Sequence, residues 1–357
     1  WFGEGLDIDN DGINDCETFL VDISPGFSLV SFPYLLDDNS LKSMLGEGII
    51  LDVITAGVAS TWVADSSQYL GSIETIECGV GYWFNNSSNE IYSLILENNI
   101  PCDRCLEDTN GDGDDEHIIN VKSDINYISY TGSESLPVSY AIPGEFNNCV
   151  EKIIGDNASA VCISIDGGEC QWQGSLLDEG LHLNKGYIID IADDCVDAAD
   201  EFDFYWNCPE NIGRISDVDI ELNDFDFQVE QSMLQSFYYF KSSDLDNVNF
   251  DEGDYLLVYN GDVLTGSRAW FNGSDYIDIA AMGYDGSQNT DGYFIPGDKP
   301  LFKLFDSTTG SINEINISSS LEWNNNTIYM IDNINRMFSR IFNKPFISFQ
   351  STTNYTS

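Results

Sequence analysis

The apolar positions of this chain fall in short runs punctuated by Gly, Pro, Asn, Asp and Ser. That is the pattern of strands and turns, not of long amphipathic helices. Phe27-Ser-Leu-Val-Ser-Phe32 and Gly81-Tyr-Trp-Phe84 predict strands in the N-terminal part, and Ile125-Asn-Tyr-Ile-Ser-Tyr130 and Gly186-Tyr-Ile-Ile189 predict strands in the middle. Toward the C-terminus, Phe237-Tyr-Tyr-Phe240, Tyr255-Leu-Leu-Val-Tyr259 and Leu301-Phe-Lys-Leu-Phe305 are similar runs, and Asn260-Gly261 reads as a tight hairpin turn. Between Asp217 and Phe227, acidic and apolar residues alternate, as on a strand with one dry face. Leu41–Leu45 and Cys149–Ile154 are predicted as short helices. The expected fold class is therefore mainly β, in tandem small β-rich modules.

Two of these stretches repeat. Phe27–Phe32, then Leu70-Gly71-Ser72-Ile73, then Gly81-Tyr82-Trp83 is matched by Ile125–Tyr130, Gln173-Gly174-Ser175-Leu176 and Gly186-Tyr187-Ile188. Ordered matches at nearly constant spacing point to a duplicated unit.

Charge narrows the function. Lys and Arg number 13 against 61 Asp and Glu, a formal net charge of -48. Such a chain repels phosphates, so no nucleic-acid partner is expected, and anionic membrane surfaces are disfavoured as well. No apolar run reaches the roughly 18 residues of a membrane span. Hydrophobic residues make up 42% and aromatic residues 13%, which supplies real cores and argues against an acidic disordered tail. Trp62, Trp83, Trp172, Trp206 and Trp270 are assigned to those cores. His117 and His182 are the only histidines, so His-based nucleophilic or zinc chemistry is not expected.

The acids are patterned. Asp7-Ile-Asp9-Asn-Asp11-Gly12-Ile13-Asn-Asp15-Cys16-Glu17 alternates carboxylates and then turns at Gly, which suits Ca²⁺ and its hard oxygen ligands. The candidate ligands are Asp7, Asp9, Asp11, Ile13 and Asp15. The EF-hand's position 12 is occupied by Thr18, and the spacing instead resembles a thrombospondin type 3 loop. A second stretch supplies Asp108, Asn110, Asp112, Asp114 and Glu116, and its opening resembles dockerin and EF-hand loops. Ca²⁺ is the expected cofactor. The duplicated unit resembles a small β-module repeated in large secreted bacterial proteins. The stretch from Phe237 to Asp306 resembles a β-sandwich module of surface-secreted proteins from marine and Bacteroidetes-like bacteria. The resemblance implies a structural or adhesive role without catalysis.

On this reading, residues 1–24 are a calcium connector, 25–101 the first repeat, 102–124 the second connector and 125–195 the second repeat. An acidic linker follows at 196–227, then the sandwich at 228–320 and a C-terminal docking segment at 321–357. That segment carries no acid after Asp332, while Arg336, Arg340 and Lys344 recur every four residues, and Arg336 and Arg340 would share a face if Ile331–Phe342 is helical.

Nine cysteines all precede residue 209, a distribution that fits disulfides in a secreted chain; a zinc site using Cys102 and Cys105, or free thiols, are the alternatives. The number is odd, so at least one cysteine has no partner within the chain. Cys162 and Cys170 flank Gly167-Gly168 and are the favoured pair. The start at Trp1 reads as a processed or excerpted product. Glycosylation sequons occur at Asn85, Asn86, Asn157, Asn272, Asn316, Asn325 and Asn354. No nucleotide-binding or nucleophile-elbow motif is present in context. The expectation is a non-enzymatic extracellular structural protein, a calcium-stiffened rod in a cell-surface or particle-surface assembly or filament. It would contact itself or neighbouring surface proteins, with glycans as possible ligands. A polysaccharide-binding adhesion module and a virion surface component are the alternatives.

Overall fold

A computed structural model describes residues 19–96, 100–102, 118–132, 135–164, 170–196, 202–207, 227–246, 250–270, 275–317, 321–331 and 334–336. The architecture is mainly β, and no described helix is long and apolar enough to cross a membrane.

The first repeat contains β1 (Phe19–Ile23), β2 (Gly26–Ser31), β3 (Tyr34–Leu35), α1 (Leu41–Leu45), β4 (Ile50–Thr55), β5 (Val58–Val63), β6 (Gln68–Gly71), β7 (Gly81–Asn86), β8 (Tyr92–Leu96) and β9 (Ile100–Pro101). Its five-stranded sheet has the order β2-β7-β4-β5-β6, with β1 and β8 paired as a separate ribbon. The helix α1 starts where Ser40 caps the Ser43 amide, and it buries Leu41, Met44 and Leu45.

The second repeat contains β10 (Ile119–Val121), β11 (Asp124–Ser129), α2 (Val138–Ala141), β12 (Val150–Ile154), β13 (Ser159–Ser164), β14 (Cys170–Gln173), α3 (Leu176–Glu179), β15 (Gly186–Ile191) and β16 (Phe202–Phe204). Its sheet order, β11-β15-β12-β13-β14, reproduces that of the first repeat strand for strand, and the ribbon β10–β16 takes the place of β1–β8. The helix expected over Cys149–Ile154 is strand β12. Val150, Ile153 and Ile154 are β-branched and buried, and β12 is wedged between β13 and β15. Phe204 and Trp206 are fully buried in this module's core, so the second repeat runs through residue 207 and takes in part of the expected linker.

The third module contains β17 (Gln235–Lys241), α4 (Ser242–Asp246), β18 (Tyr255–Asn260), β19 (Val263–Ala269), β20 (Tyr276–Met282), β21 (Leu301–Asp306), β22 (Ser311–Ile317), β23 (Ile328–Ile331) and β24 (Ile334–Arg336). Sheets β20-β17-β23 and β19-β18-β21-β22-β24 enclose one apolar core. The turn after Asn260 places Gly261 at φ +59° and pairs Asn260 with Val263. At Ile331 and Ile334–Arg336 the chain is strand in place of the helix expected over Ile331–Phe342; residues 337–342 lie outside the described residues. Ile328 and Met330 point away from the core that Tyr329 and Ile331 enter, β23 pairs in parallel with β17, and β24 pairs with β22. The sandwich therefore extends through Arg336, past the expected boundary at 320.

Candidate functional site: the junction of three modules

Period-2 alternation explains why several strands read as unbroken apolar runs: both of their faces are covered. In β2, Val30 enters the first repeat's core, while Phe27 and Leu29 point outward. In β7, Tyr82 and Phe84 face inward and Trp83 outward. The second repeat turns Ile154 and Ile188 outward, and the sandwich presents Phe237, Tyr239, Ala280 and Met282. These outward residues form one buried cluster shared by all three modules. The modules therefore pack around a common apolar centre instead of lying apart along a rod.

The two repeats meet reciprocally. Val30 bridges to Lys185, and Val80 bridges to Ile128. The Ser31 amide donates to Asn184 O at 3.2 Å, and the Ser129 amide donates to Gly79 O at 3.0 Å. Under the sequence repeat each contact is the counterpart of the other. Gly81 and Gly186 sit at the centre: a Cβ on Gly186 would lie 3.1 Å from the Gly81 Cα and 3.0 Å from Val30 O. The repeated glycine thus permits two backbones to touch. Beside it, Asp156 Oδ1 accepts from the Leu29 amide at 2.7 Å, and Lys185 Nζ donates to Oδ2 at 3.2 Å. Burial raises the Asp156 carboxyl above its ordinary pKa, against the pull of Lys185.

Polar groups fasten the sandwich to the second repeat. Asp278 on β20 is buried, and its Oδ2 accepts from Ser159 Oγ and Ser175 Oγ, each at 2.9 Å. Its Oδ1 accepts from the Ser175 amide at 2.9 Å. Arg268 on the adjacent strand β19 donates through Nε to Asp278 O at 3.1 Å, and through Nη1 to Glu179 Oε1 at 3.3 Å. Its Nη2 reaches Asn157 O and Ser175 Oγ. Tyr239 Oη lies 2.8 Å from Ser159 Oγ. Burial raises the pKa of Glu179, partly offset by Arg268, and burial with nearby Asp278 raises that of Asp178. Each Asp278 oxygen is already occupied by donors from the other module, so the chemistry of this cluster is adhesion between modules.

The sequence-derived candidates are distributed unevenly. Asp7, Asp9, Asp11, Ile13, Asp15, Asp108, Asn110, Asp112, Asp114 and Glu116 lie outside the described residues. Among the described residues, no group of three or more His, Cys, Asp or Glu is placed to hold a metal ion. Cys162 is bonded to Cys170, Cys78 to Cys102 and Cys149 to Cys195. Of the sequons, Asn86 is 2% exposed and donates to the carbonyls of Ile23 and Glu90, which leaves no room for a glycan and removes it as a candidate. Asn85 is half-buried and donates to Asp52, and Asn157 lies at the Arg268 contact. Asn316 and Asn325 are exposed, whereas Asn272 and Asn354 lie outside the described residues. Trp83, Trp172, Trp206 and Trp270 are buried, and Trp62 is half-buried against Tyr69.

Comparison with family models, curated proteins and solved structures gives no match to this chain. Sequence reasoning missed Asp156, Ser159, Ser175, Glu179 and Asp278. Each is a common residue type with no motif around it. The available signal was the unbroken apolar character of β7, β15 and β17, which requires a second covering face.

Proposed function

We propose that the chain is a non-enzymatic structural subunit of an extracellular surface assembly, with Ca²⁺ bound by the acidic stretches beginning at Asp7 and Asp108. The observation that carries this reading is the junction, where three modules share a buried apolar cluster and buried polar groups join one module to the next. The three disulfides among the described residues fit an oxidising compartment. Identical subunits at -48 repel one another, so assembly calls for screening and for a bound cation.

Sedimentation and electron microscopy of the purified chain, in calcium and in excess chelator, test this. The expected result is ordered oligomers in calcium, with chelation lowering the melting temperature. Saturation at 100 times Kd is worth about 2.7 kcal/mol per site. A melting curve indifferent to chelator would refute the calcium assignment. A monodisperse monomer in calcium that binds glycans selectively on an array would replace the structural reading with an adhesive one.

A further inference from the structure

Where the sandwich meets the second repeat, their faces diverge into an open wedge of 490 Å³, lined by Val161, Ile163, Ile328 and Met330, with Glu151 and Thr327 among the polar residues. Met330 is 40% exposed, and Val161, Ile163 and Ile328 are half-buried. One wall is β23, which pairs with β17 on one side and, among the described residues, with no strand on the other. An edge strand beside apolar side chains can be extended by an incoming strand, whose backbone supplies hydrogen bonds and whose alternate side chains fill the cleft.

We propose that this wedge is the acceptor for residues 337–350 of a second copy of the chain; the inference rests on the assembly reading above. Two properties of that segment fit. Phe338, Ile341, Phe342, Phe346, Ile347 and Phe349 give it apolar side chains of the kind the wedge can cover. It also contains Arg340 and Lys344 and no acid, whereas residues 1–332 carry -51, from the total of -48 less the +3 of residues 333–357. A basic apolar segment is thus attracted to a second copy that otherwise repels it; at the wedge itself Glu151 is a carboxylate, and the neighbouring Lys152 is already paired with Asp190 at 2.8 Å.

The test uses the full chain with a photo-crosslinking phenylalanine analogue at position 346, prepared as a mixture of heavy-isotope and ordinary protein. The expected result is heavy-to-light crosslinks from position 346 to peptides containing residues 161–163 or 328–330. Met330→Asp and Ile163→Asp should each weaken association by about tenfold or more. Unchanged melting temperature and disulfide pattern in these variants would confirm that they fold. Crosslinks that fall elsewhere in an assembling chain would overturn the acceptor assignment while leaving the assembly reading intact. Crosslinks to the wedge only within single chains would overturn the intermolecular form. Failure of the unmodified chain to assemble would instead count against the structural-subunit reading itself.

Discussion

Replacing Asp278 with Ala removes the acceptor of three hydrogen bonds that cross from the sandwich to the second repeat. The Ser175 amide would lose its partner in a part-buried site, and Arg268 would lose a carboxylate 4.0 Å away. Hydrogen bonds to charged groups contribute about 1.5–3 kcal/mol each, and they are not additive when one side chain makes all three. Breaking a buried charged network from one side costs about 3–5 kcal/mol. At about 1.4 kcal/mol per decade, the protection of the Ser175 amide against hydrogen exchange should fall by roughly two to three and a half decades. Amides of the first repeat's core, such as Val53, should change far less. Asp278→Asn keeps the shape and one acceptor, and the Ser159 and Ser175 hydroxyls can turn to accept, so its cost should be nearer 1–2 kcal/mol, roughly that of one hydrogen bond. Equal and small losses in both variants, with Ser175 protection unchanged, would refute the claim that this carboxylate fastens the modules.

The contact between repeats gives a second test. Gly186→Val would drive side-chain atoms into Val30 O and the Gly81 backbone, with an expected loss of about 1–3 kcal/mol for overpacking and a separation of the repeats visible as increased exchange at the Ser31 and Ser129 amides. A wild-type melting curve would show that the backbones can part at little cost. Acidity gives a third. Asp156, Asp178 and Glu179 have folded-state pKa values raised by burial, so the folded chain binds more protons than the unfolded one between the ordinary carboxylate range near about 4 and the raised values. Their contribution is greatest below that window and is lost as pH rises through it. Thermal stability should therefore increase as pH falls through that window. Relief of general repulsion acts in the same direction, so the decisive measurement is whether Asp178→Asn with Glu179→Gln flattens the slope; an unchanged slope would refute the local origin.

Much of the fold was legible because it rests on local patterning. Phe27–Phe32, Gly81–Phe84 and their counterparts fall on the edge strand and the strand next to it in two sheets of identical order. The glycine repeat was equally informative: Gly71 and Gly174 lie against the carbonyls of Ala59 and Ser159, and Gly81 and Gly186 lie against each other. Errors arose where tertiary context decides. The pattern of Val150–Ile154 suits a short helix or a strand, and β13 and β15 on either side select the strand. The helix expected to begin at Ile331 is strand at Ile331 and at Ile334–Arg336, where β17 and β22 supply pairing partners. The junction was the least legible part, because Asp278 meets Ser159 and Ser175 across more than a hundred residues of sequence and its neighbours in the chain carry no sign of the encounter.

The few cations show how so acidic a chain can hold its modules together. Among the described residues, Lys152, Lys185 and Arg268 each pair with a partly or fully buried carboxylate. Lys185 and Arg268 lie at seams: Lys185 pairs with Asp156, which also accepts from Leu29 of the other repeat, and Arg268 reaches from the sandwich to Glu179 and Asn157 of the second repeat. A carboxylate withdrawn from water is costly unless it is paired or hydrogen-bonded, whereas one left on the surface is hydrated and screened by salt. These three cations are thus placed where desolvation makes positive charge matter, while the buried Asp254 is satisfied without a cation, by the amide and hydroxyl of Ser307. The seams are held by this packing and these hydrogen bonds. Ca²⁺ bound by the stretches beginning at Asp7 and Asp108 would act elsewhere, immediately before β1 and β10, where each repeat's ribbon begins. On that geometry, chelation should loosen the entrance ribbons before it separates the modules.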